Sequence, residues 1–338
     1  MKRVTPLIFL LLLAAFPLVV KDDYPRHLMI LVLLWAVIGS GWNVIAGYTG
    51  LVSFGDAAFF GTGAYMAGLL AVKLHLSSWW GIPLGGLAAV VIAYPFGWIC
   101  FRLRGAYFAL ATLALNEVMR HIATIWESLT NGMSGILIIP SFVSKVPYYY
   151  ISLGLAAGSV LAVTLIMKSK LGYYFLAIRE DQDAAEALGV NTHLYKMISL
   201  SVAAAMTGLA GGLYMNYMGF IDPEVVFSLH DISIMAILVG IVGGVGTVYG
   251  PVVGAFVMVG VQEFFRTGFF GGIEALASAT GWTFLGTVAK YMAQAHVLSF
   301  GVLVVVVILV LPNGIVGDLQ RVLGRRRKTG PAAGADPA

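Results

Sequence analysis

The chain has little of what enzymes and secreted domains depend on. Only 11% of its 338 residues are charged, and Cys100 is its single cysteine. One cysteine cannot form an intramolecular disulfide or a cysteine-based metal cluster. The six histidines are scattered over different segments, without the close spacing of a zinc-binding helix. The sequence therefore predicts no metal site.

A nucleotide-binding loop is also absent from the sequence. No lysine is preceded by glycine, so the P-loop pattern GxxxxGK[ST] cannot occur. If ATP drives this protein, a different polypeptide must hydrolyse it. No nucleophile and base stand in a recognisable constellation either. We therefore interpret the chain as neither an enzyme nor a protein that binds a cofactor itself.

Apolar residues dominate what is present. Hydrophobic residues make up 59% of the chain, the mean hydropathy is +0.91, and 41 residues are glycine. Such a composition excludes a soluble globular protein. The apolar segments are continuous rather than alternating and match bilayer spans of about 20 residues, which disfavours a β-barrel. We expect an all-α integral membrane protein embedded in a lipid bilayer.

The sequence predicts about ten transmembrane helices. They fall at residues 5–20, 28–46, 55–73, 82–101, 106–126, 149–167, 197–219, 231–246, 251–269 and 297–311. Together these segments define one polytopic membrane domain over residues 1–317. The basic tail that follows, residues 318–338, is expected to be disordered.

The basic residues indicate which helix ends face the cytoplasm. With Lys2 inside and ten spans, Arg102, Arg104 and the loop 168–196 also fall inside, together with the basic tail. This is the arrangement that the positive-inside rule predicts, so both termini are expected in the cytoplasm. Segment 268–296 is expected outside with a helix lying in the membrane interface, and an additional pair of short spans is the alternative. The net charge of +4 thus reports orientation, and nucleic-acid binding is not expected.

The loop 168–196 is the longest charged stretch between apolar segments, and its charges require it to lie in water. Those crowded together are Arg179, Glu180, Asp181, Asp183 and Glu186. We expect a short helix in which Asp183 caps the N-terminus and Glu186 reaches back to it. Gly189 would end this helix in the left-handed conformation. Its small residues are Ala184, Ala185 and Ala187.

Small residues one helical turn apart recur along the predicted spans. Examples are Gly208 with Gly212, and Gly154 with Gly158. In lipid, such faces let helix backbones approach closely. We therefore expect these glycines to lie at contacts between helices.

Two predicted spans contain a glutamate followed three residues later by an arginine. The pairs are Glu117 with Arg120 and Glu263 with Arg266. Charges at bilayer depth are costly unless they are paired or face a wet cavity, and this spacing allows pairing on one helix turn. The pairs either fix the rotation of their helices or line a polar path. Both interpretations stay open at this point.

Five stretches of the chain match, in order, the motifs of a known family. They are GWNVIAGYTGLVSFGDAAFFGTGAYMAG (41–68), LRGAYFALATLALNEVMRHI (103–122), LGYYFLAIREDQDAAEALGVN (171–191), GGVGTVYGPVVGA (243–255) and LPNGIVG (311–317). On these motifs the chain resembles the larger of the two paired membrane subunits of bacterial ABC importers for branched-chain amino acids.

The resemblance implies a permease domain in the bacterial inner membrane that imports leucine, isoleucine and valine by alternating access. The implied partners are a second homologous permease subunit, a periplasmic substrate-binding protein, and two cytosolic ATPase subunits that use ATP and magnesium. In this family a cytoplasmic loop docks into a groove on the ATPase subunit. Residues 184–189 would then be the docking helix, and residues 179–183 would lead into it.

Transporter sites usually lie near the bilayer midplane, where discontinuous helices and buried charges occur. We therefore expect Asn43, Asp56, Asn116 and Glu117 to contribute to the translocation path. For Asp56, at the start of the third span, the alternative role is that of a helix N-cap at the membrane face. The third and eighth spans are candidates for broken or re-entrant helices.

Other functions also stay open. Relatives of this family import urea or short amides, and the motifs do not exclude these substrates. A stand-alone secondary transporter would need no ATPase, but the chain has no strong inverted repeat. A purely structural membrane scaffold would leave the paired charges at bilayer depth without a purpose.

Overall fold

Helices make up most of the part of the chain that the structure describes. The structure, a computed structural model, describes residues 5–264, 301 and 314–318. The first eight α-helices are α1 (Thr5–Val19), α2 (Asp23–Trp42), α3 (Asp56–Val72), α4 (Gly81–Cys100), α5 (Ala106–Ile125), α6 (Glu127–Thr130), α7 (Val146–Lys168) and α8 (Lys170–Glu180). The next five are α9 (Gln182–Ala187), α10 (Thr192–Met218), α11 (Pro223–Val226), α12 (Met235–Gly243) and α13 (Gly250–Glu263).

A helix lies at each of the first nine predicted spans. Among the described residues, five helices are long and apolar enough to cross a membrane: Asp23–Tyr48, Ser78–Cys100, Val146–Lys168, Thr192–Met218 and Pro223–Gly243. Three shorter apolar helices accompany them, at Ile8–Val19, Asp56–Val72 and Gly250–Glu263. The tenth predicted span, segment 268–296 and the tail beyond Asp318 lie outside the described residues.

Two π-helical turns interrupt the long apolar helices. Asn43–Tyr48 continues α2, and Leu229–Ile234 leads into α12. The eighth predicted span is therefore irregular at its start, whereas α3 is a continuous helix. The irregular part of the third predicted span is the approach to α3 over residues 50–55. Short π-helical segments are frequent at functional sites.

Helix α10 lies at the centre of the fold and packs against α4, α3 and α2. Glycine makes this possible, because a Cβ atom on Gly63 would overlap the carbonyl oxygen of Gly208. A Cβ atom on Gly212 would lie 2.7 Å from the carbonyl oxygen of Gly81. The close approach predicted for Gly208 and Gly212 is thus confirmed. For Gly154 and Gly158 the described residues supply no such contact, because a Cβ atom on either would meet none of them within 4 Å.

Helices α2, α12 and α13 pack together beside this centre. Their backbones also approach closely, since a Cβ atom on Gly254 would overlap the carbonyl oxygen of Val239. At the end of the fold where α10 finishes, two short antiparallel strands join, β1 (Ile136–Leu137) and β2 (Phe220–Ile221). They tie the chain that follows α5 to the chain that follows α10.

Candidate functional site

The charged loop 168–196 folds into two helices and the start of a third. Helix α8 begins at Ser169, whose hydroxyl accepts a hydrogen bond from the amide of Leu171 at 3.2 Å. Gly172, Phe175 and Ile178 form its buried face. One residue separates α8 from α9, and four residues separate α9 from α10. The loop is therefore a compact helical elbow at one end of the bundle.

The N-terminal cap of α9 is Asp181, not Asp183. Asp181 has an extended backbone, and its Oδ1 accepts hydrogen bonds from the amides of Asp183 at 2.9 Å and Ala184 at 3.0 Å. Asp183 lies inside the helix, where its side chain cannot take that role. The helix at the predicted docking position is accordingly Gln182–Ala187, two residues earlier than the predicted range 184–189.

Glu186 reaches back to the first residue of α9, but it bonds a side chain there and not a backbone amide as the capping-box prediction required. Its Oε1 accepts hydrogen bonds from Gln182 Nε2 at 2.9 Å and from the hydroxyl of Thr192. The hydrogen bond from Thr192, followed by that from Gln182, lowers the pKa of the Glu186 carboxyl below its ordinary value of 4.5. The carboxylate therefore joins α9 to the first turn of α10.

The end of α9 agrees with the sequence. Gly189 has a φ of +85°, and its amide bonds to the carbonyl of Glu186 at 2.9 Å. The amide of Val190 bonds to the carbonyl of Ala185 at 3.0 Å, which completes a glycine-ended C-terminus. Asn191 then caps α10, accepting a hydrogen bond from the amide of Leu194 at 3.0 Å.

Helix α9 presents one face to the bundle and one to the outside. Ala185 is only 4% exposed, whereas Ala184 and Ala187 are exposed and Leu188 beyond them is 86% exposed. The outer face is therefore small, with a single large apolar side chain at its end. Exposed apolar residues on a short rigid helix suit contact with another protein.

Two further contacts hold α9 in place. Arg104, in the turn before α5, makes a two-pronged ion pair with Asp183 at 2.9 and 3.0 Å. The hydrogen bond and charge of Asp183 raise the pKa of the Arg104 guanidinium above its ordinary value. Lys196, 1% exposed on α10, donates from Nζ to Gln182 Oε1 at 2.5 Å.

The two residues that precede the Asp181 cap belong to α8. Glu180 is its exposed last residue. Arg179 lies on its last turn and donates from Nη1 to the carbonyl oxygen of Gly47 at 2.7 Å. Gly47 belongs to the π-helical turn that continues α2.

Asp56 is buried at the start of α3. It is 2% exposed, and Gly55 rather than Asp56 occupies the N-cap position. The amide of Ala57 bonds to Ser233 Oγ at 3.0 Å, which joins this helix start to the second π-helical turn. Within the part of the chain that the structure describes, Asp56 Oδ2 has no hydrogen-bond partner.

Asn116 lies completely buried on α5 and faces the segment that follows α11. Its Nδ2 donates to the carbonyl oxygen of Phe227 at 3.0 Å, and its Oδ1 has no hydrogen-bond partner among the described residues. One turn earlier on the same helix, Thr112 Oγ1 accepts a hydrogen bond from the amide of Phe54 at 3.0 Å. Asp56 and Asn116 are thus both buried where α3 and α5 pack together.

Asn43 lies elsewhere. Its Oδ1 accepts a hydrogen bond from the amide of Gly246 at 2.8 Å, and its Nδ2 donates to the carbonyl of Thr247 at 2.9 Å. The four predicted path residues therefore do not meet in one cluster, because Asn43 holds the turn before α13 and Glu117 belongs to an ion pair.

Glu117 and Arg120 lie 2.7 Å apart, and Arg120 also pairs with Glu224 of α11 at 2.5 Å. All three side chains are partly exposed. Of the second predicted pair, Glu263 is the last residue of α13 and accepts a hydrogen bond from Tyr24, at the start of α2. Arg266 lies outside the described residues.

Sequence reasoning missed Lys196, Thr192 and Glu224. The first two share a helix face at the i, i+4 spacing, which was a usable signal that this face of α10 is polar. Glu224 carries no local signal, since its partner Arg120 is 104 residues away in the chain.

The comparisons with known proteins agree with this picture. Residues 24–311 match the family described as "Branched-chain amino acid transport system / permease component". The high-affinity branched-chain amino acid permease protein LivM of Escherichia coli (strain K12) is 28% identical over 291 residues, which cover 77% of this chain and 68% of the relative. The corresponding protein LivH of Salmonella typhimurium is 24% identical over 305 residues, which cover 84% and 91%.

A further relative is the autoinducer 2 import permease protein LsrC of Salmonella paratyphi B, 26% identical over 224 residues that cover 62% of each chain. No solved structure matches. The family match covers far more than half of the chain and includes the α8–α9 elbow. The chain therefore belongs to the family of permease components of branched-chain amino acid transport systems.

Proposed function

We propose that this chain is a membrane permease subunit of an ATP-driven importer for leucine, isoleucine and valine. The observation that carries the proposal is α9, a capped helix with one exposed face of small residues, held to the bundle by Arg104, Thr192 and Lys196. A rigid helix of this kind transmits displacement, whereas a flexible loop absorbs it.

The partners follow from this role. A periplasmic binding protein delivers the amino acid, a second homologous permease subunit completes the pathway, and two cytosolic ATPase subunits bind and hydrolyse ATP with magnesium. The complex lies in the bacterial inner membrane, with both termini of this chain in the cytoplasm. Closure of the ATPases pushes α9 and switches the path between inward- and outward-facing states.

The translocation path is proposed to involve Asn43, Asp56, Asn116 and Glu117. Support comes from the burial of the first three, and from one oxygen each of Asp56 and Asn116 that has no hydrogen-bond partner among the described residues. Buried polar groups without partners cost free energy. An amino acid brings an ammonium group that can satisfy such acceptors, and its side chain fits apolar surroundings.

Cross-linking to the ATPase tests the role of α9. In a Cys100→Ser background, Ala187→Cys is co-expressed with the candidate ATPase subunits that carry cysteines in their surface groove. Because Ala187 is exposed, we expect a disulfide whose yield changes with ATP. Ala185→Cys is the matched control, because Ala185 faces the bundle and is expected to cross-link poorly.

Absence of a cross-link at Ala187 and at Leu188, despite good expression, would remove the docking role and favour the stand-alone secondary transporter. Uptake competition settles the substrate separately. We expect excess unlabelled leucine to block radiolabelled isoleucine uptake while urea and acetamide leave it unchanged. If urea and acetamide block the uptake and leucine does not, the protein is an importer of urea or short amides.

A further inference from the structure

Three segments that are distant in the chain meet beside the α8–α9 elbow. The first is the π-helical turn Asn43–Tyr48 at the end of α2, and the second is Arg179 on the last turn of α8. The third is the glycine-rich turn 244–249, which joins α12 to α13. The ends of three transmembrane helices are thereby brought within reach of one side chain.

Arg179 contacts two of these segments directly. Its Nη1 donates to the carbonyl oxygen of Gly47 at 2.7 Å. A Cβ atom on Gly246 would lie 2.7 Å from the same Nη1 atom, so the guanidinium lies against the glycine-rich turn. Any side chain at position 246 would displace it, and the φ of +74° at Gly246 disfavours one as well.

The acceptor suits a cation. Gly47 is the next-to-last residue of the π-helical turn. Carbonyl groups at a helix C-terminus lack partners within the helix and form the negative end of the helix dipole. A guanidinium on such a carbonyl makes a charge-assisted hydrogen bond, which is stronger than a neutral one. Lysine offers only a single point of charge and no planar fork.

Asn43 joins the other two segments to each other. Its amide accepts from Gly246 N at 2.8 Å and donates to Thr247 O at 2.9 Å, so the end of α2 and the glycine-rich turn are held as one unit. Gly47 must be glycine for this unit to close, because a Cβ atom there would overlap Asn43 Oδ1. Arg179 is therefore the contact of α8 with a unit that is already fastened together.

We propose that Arg179 is a positioning residue that transmits the displacement of α9 to the ends of α2, α12 and α13. It lies two residues before the Asp181 cap, on a helix that continues into α9 after one residue. A displacement of α9 therefore moves the Arg179 guanidinium through α8. The guanidinium in turn displaces the Gly47 carbonyl and the glycine-rich turn. This inference rests on the proposed function.

A docking role and a purely stabilising role make different predictions. If Arg179 only contacted the ATPase, its removal would weaken assembly of the complex. If it only stabilised the helix end, its removal would lower ATP hydrolysis and transport in equal proportion. A transmitting residue can be removed with assembly and hydrolysis kept and transport lost.

The test uses the whole transporter in proteoliposomes, with leucine uptake and ATP hydrolysis measured on the same preparation. Arg179→Ala is expected to lower the leucine moved per ATP by about tenfold, since it removes a hydrogen bond to a charged group. Arg179→Lys is expected to recover part of the ratio. Arg102→Gln is the matched control, because the Arg102 guanidinium lies over the Trp98 ring of α4, 5.7 Å from its centroid.

A second measurement does not depend on the substrate. In a Cys100→Ser background, Tyr249→Cys reports changes in the exposure of the glycine-rich turn, and Ala187→Cys reports changes in the exposure of α9. Both positions are exposed, and maleimide labelling is followed with and without ATP. We expect ATP to change labelling at both positions with Arg179 present. With Arg179→Ala, only the change at position 187 is expected to persist.

The outcomes separate the claims. A response at position 249 that survives Arg179→Ala would overturn the inference, as would loss of ATPase subunits from the purified Arg179→Ala complex. A complex that shows the expected labelling but moves no leucine would overturn the proposed substrate and leave the role of Arg179 standing.

Discussion

At the scale of single residues, Asp56 is buried and its Oδ2 atom has no hydrogen-bond partner in the described part of the chain. We expect Asp56→Asn to lower leucine uptake by about tenfold or more, because a hydrogen bond between charged groups contributes about 1.5–3 kcal/mol. Asparagine keeps the shape of the side chain, so the melting temperature of the purified permease should stay unchanged or rise. Uptake assays and thermal unfolding measure the two effects. Normal uptake would show that Asp56 has no part in the path.

The second prediction at this scale concerns the start of α9. Asp181→Ala removes the cap from two amides, and a lost N-cap costs about 1 kcal/mol, or about fivefold in a local opening equilibrium. Hydrogen exchange of the α9 amides should accelerate accordingly.

Asp183→Ala is the matched comparison for this cap. It removes an exposed ion pair with Arg104, and water and salt screen such pairs so that they stabilise less than a helix cap does. A larger acceleration of exchange in Asp183→Ala than in Asp181→Ala would show that Asp183 caps α9, as the sequence predicted.

At the scale of elements, glycine sets how closely α10 approaches its neighbours. A Cβ atom on Gly208 would lie 2.7 Å from Gly85 O and from Ala89 Cβ. We expect Gly208→Ala to destabilise the permease by about 1–3 kcal/mol. The added methyl group would overlap the backbone of α4, which cannot move aside as a flexible side chain does. Thermal unfolding in detergent measures this.

Gly154→Ala, on α7, is the matched control for this contact. A Cβ atom there meets nothing within 4 Å among the described residues, and alanine favours a helix over glycine by about 1 kcal/mol. The variant should be neutral or slightly stabilised. Equal destabilisation by both substitutions would mean that the α3–α4–α10 contact is not specific.

At the scale of the whole molecule, the elbow and the β1–β2 ribbon lie at opposite ends of α10. The positive-inside rule predicts that the elbow lies in the cytoplasm. In a Cys100→Ser background, a membrane-impermeant maleimide added to intact cells should label Val143→Cys but not Leu188→Cys. Both side chains are highly exposed, so lysis should allow labelling of both. Labelling of Leu188→Cys in intact cells would show that the elbow faces the outside of the cell, opposite to the predicted topology.

Much of the architecture could be predicted from local sequence. Helix positions follow from apolar runs whose length is set by the bilayer, and the first nine were located correctly. Gly189 ends α9 because only glycine takes its left-handed conformation without strain. The resemblance of five ordered motifs also indicated the family that the comparison then showed.

What only the tertiary structure decided are the partners of these residues. Asp181 rather than Asp183 caps α9, because capping depends on where the backbone leaves the helix and both residue types suit the role equally. Ala185 rather than Ala187 faces the bundle, and Arg179 meets Gly47 across 132 residues of chain. Sequence by itself determined where the apolar helices lie and that α9 ends before Gly189, since these features depend on near neighbours and on the bilayer. The contacts between helices depend on packing in three dimensions, for which one sequence carries no local signal.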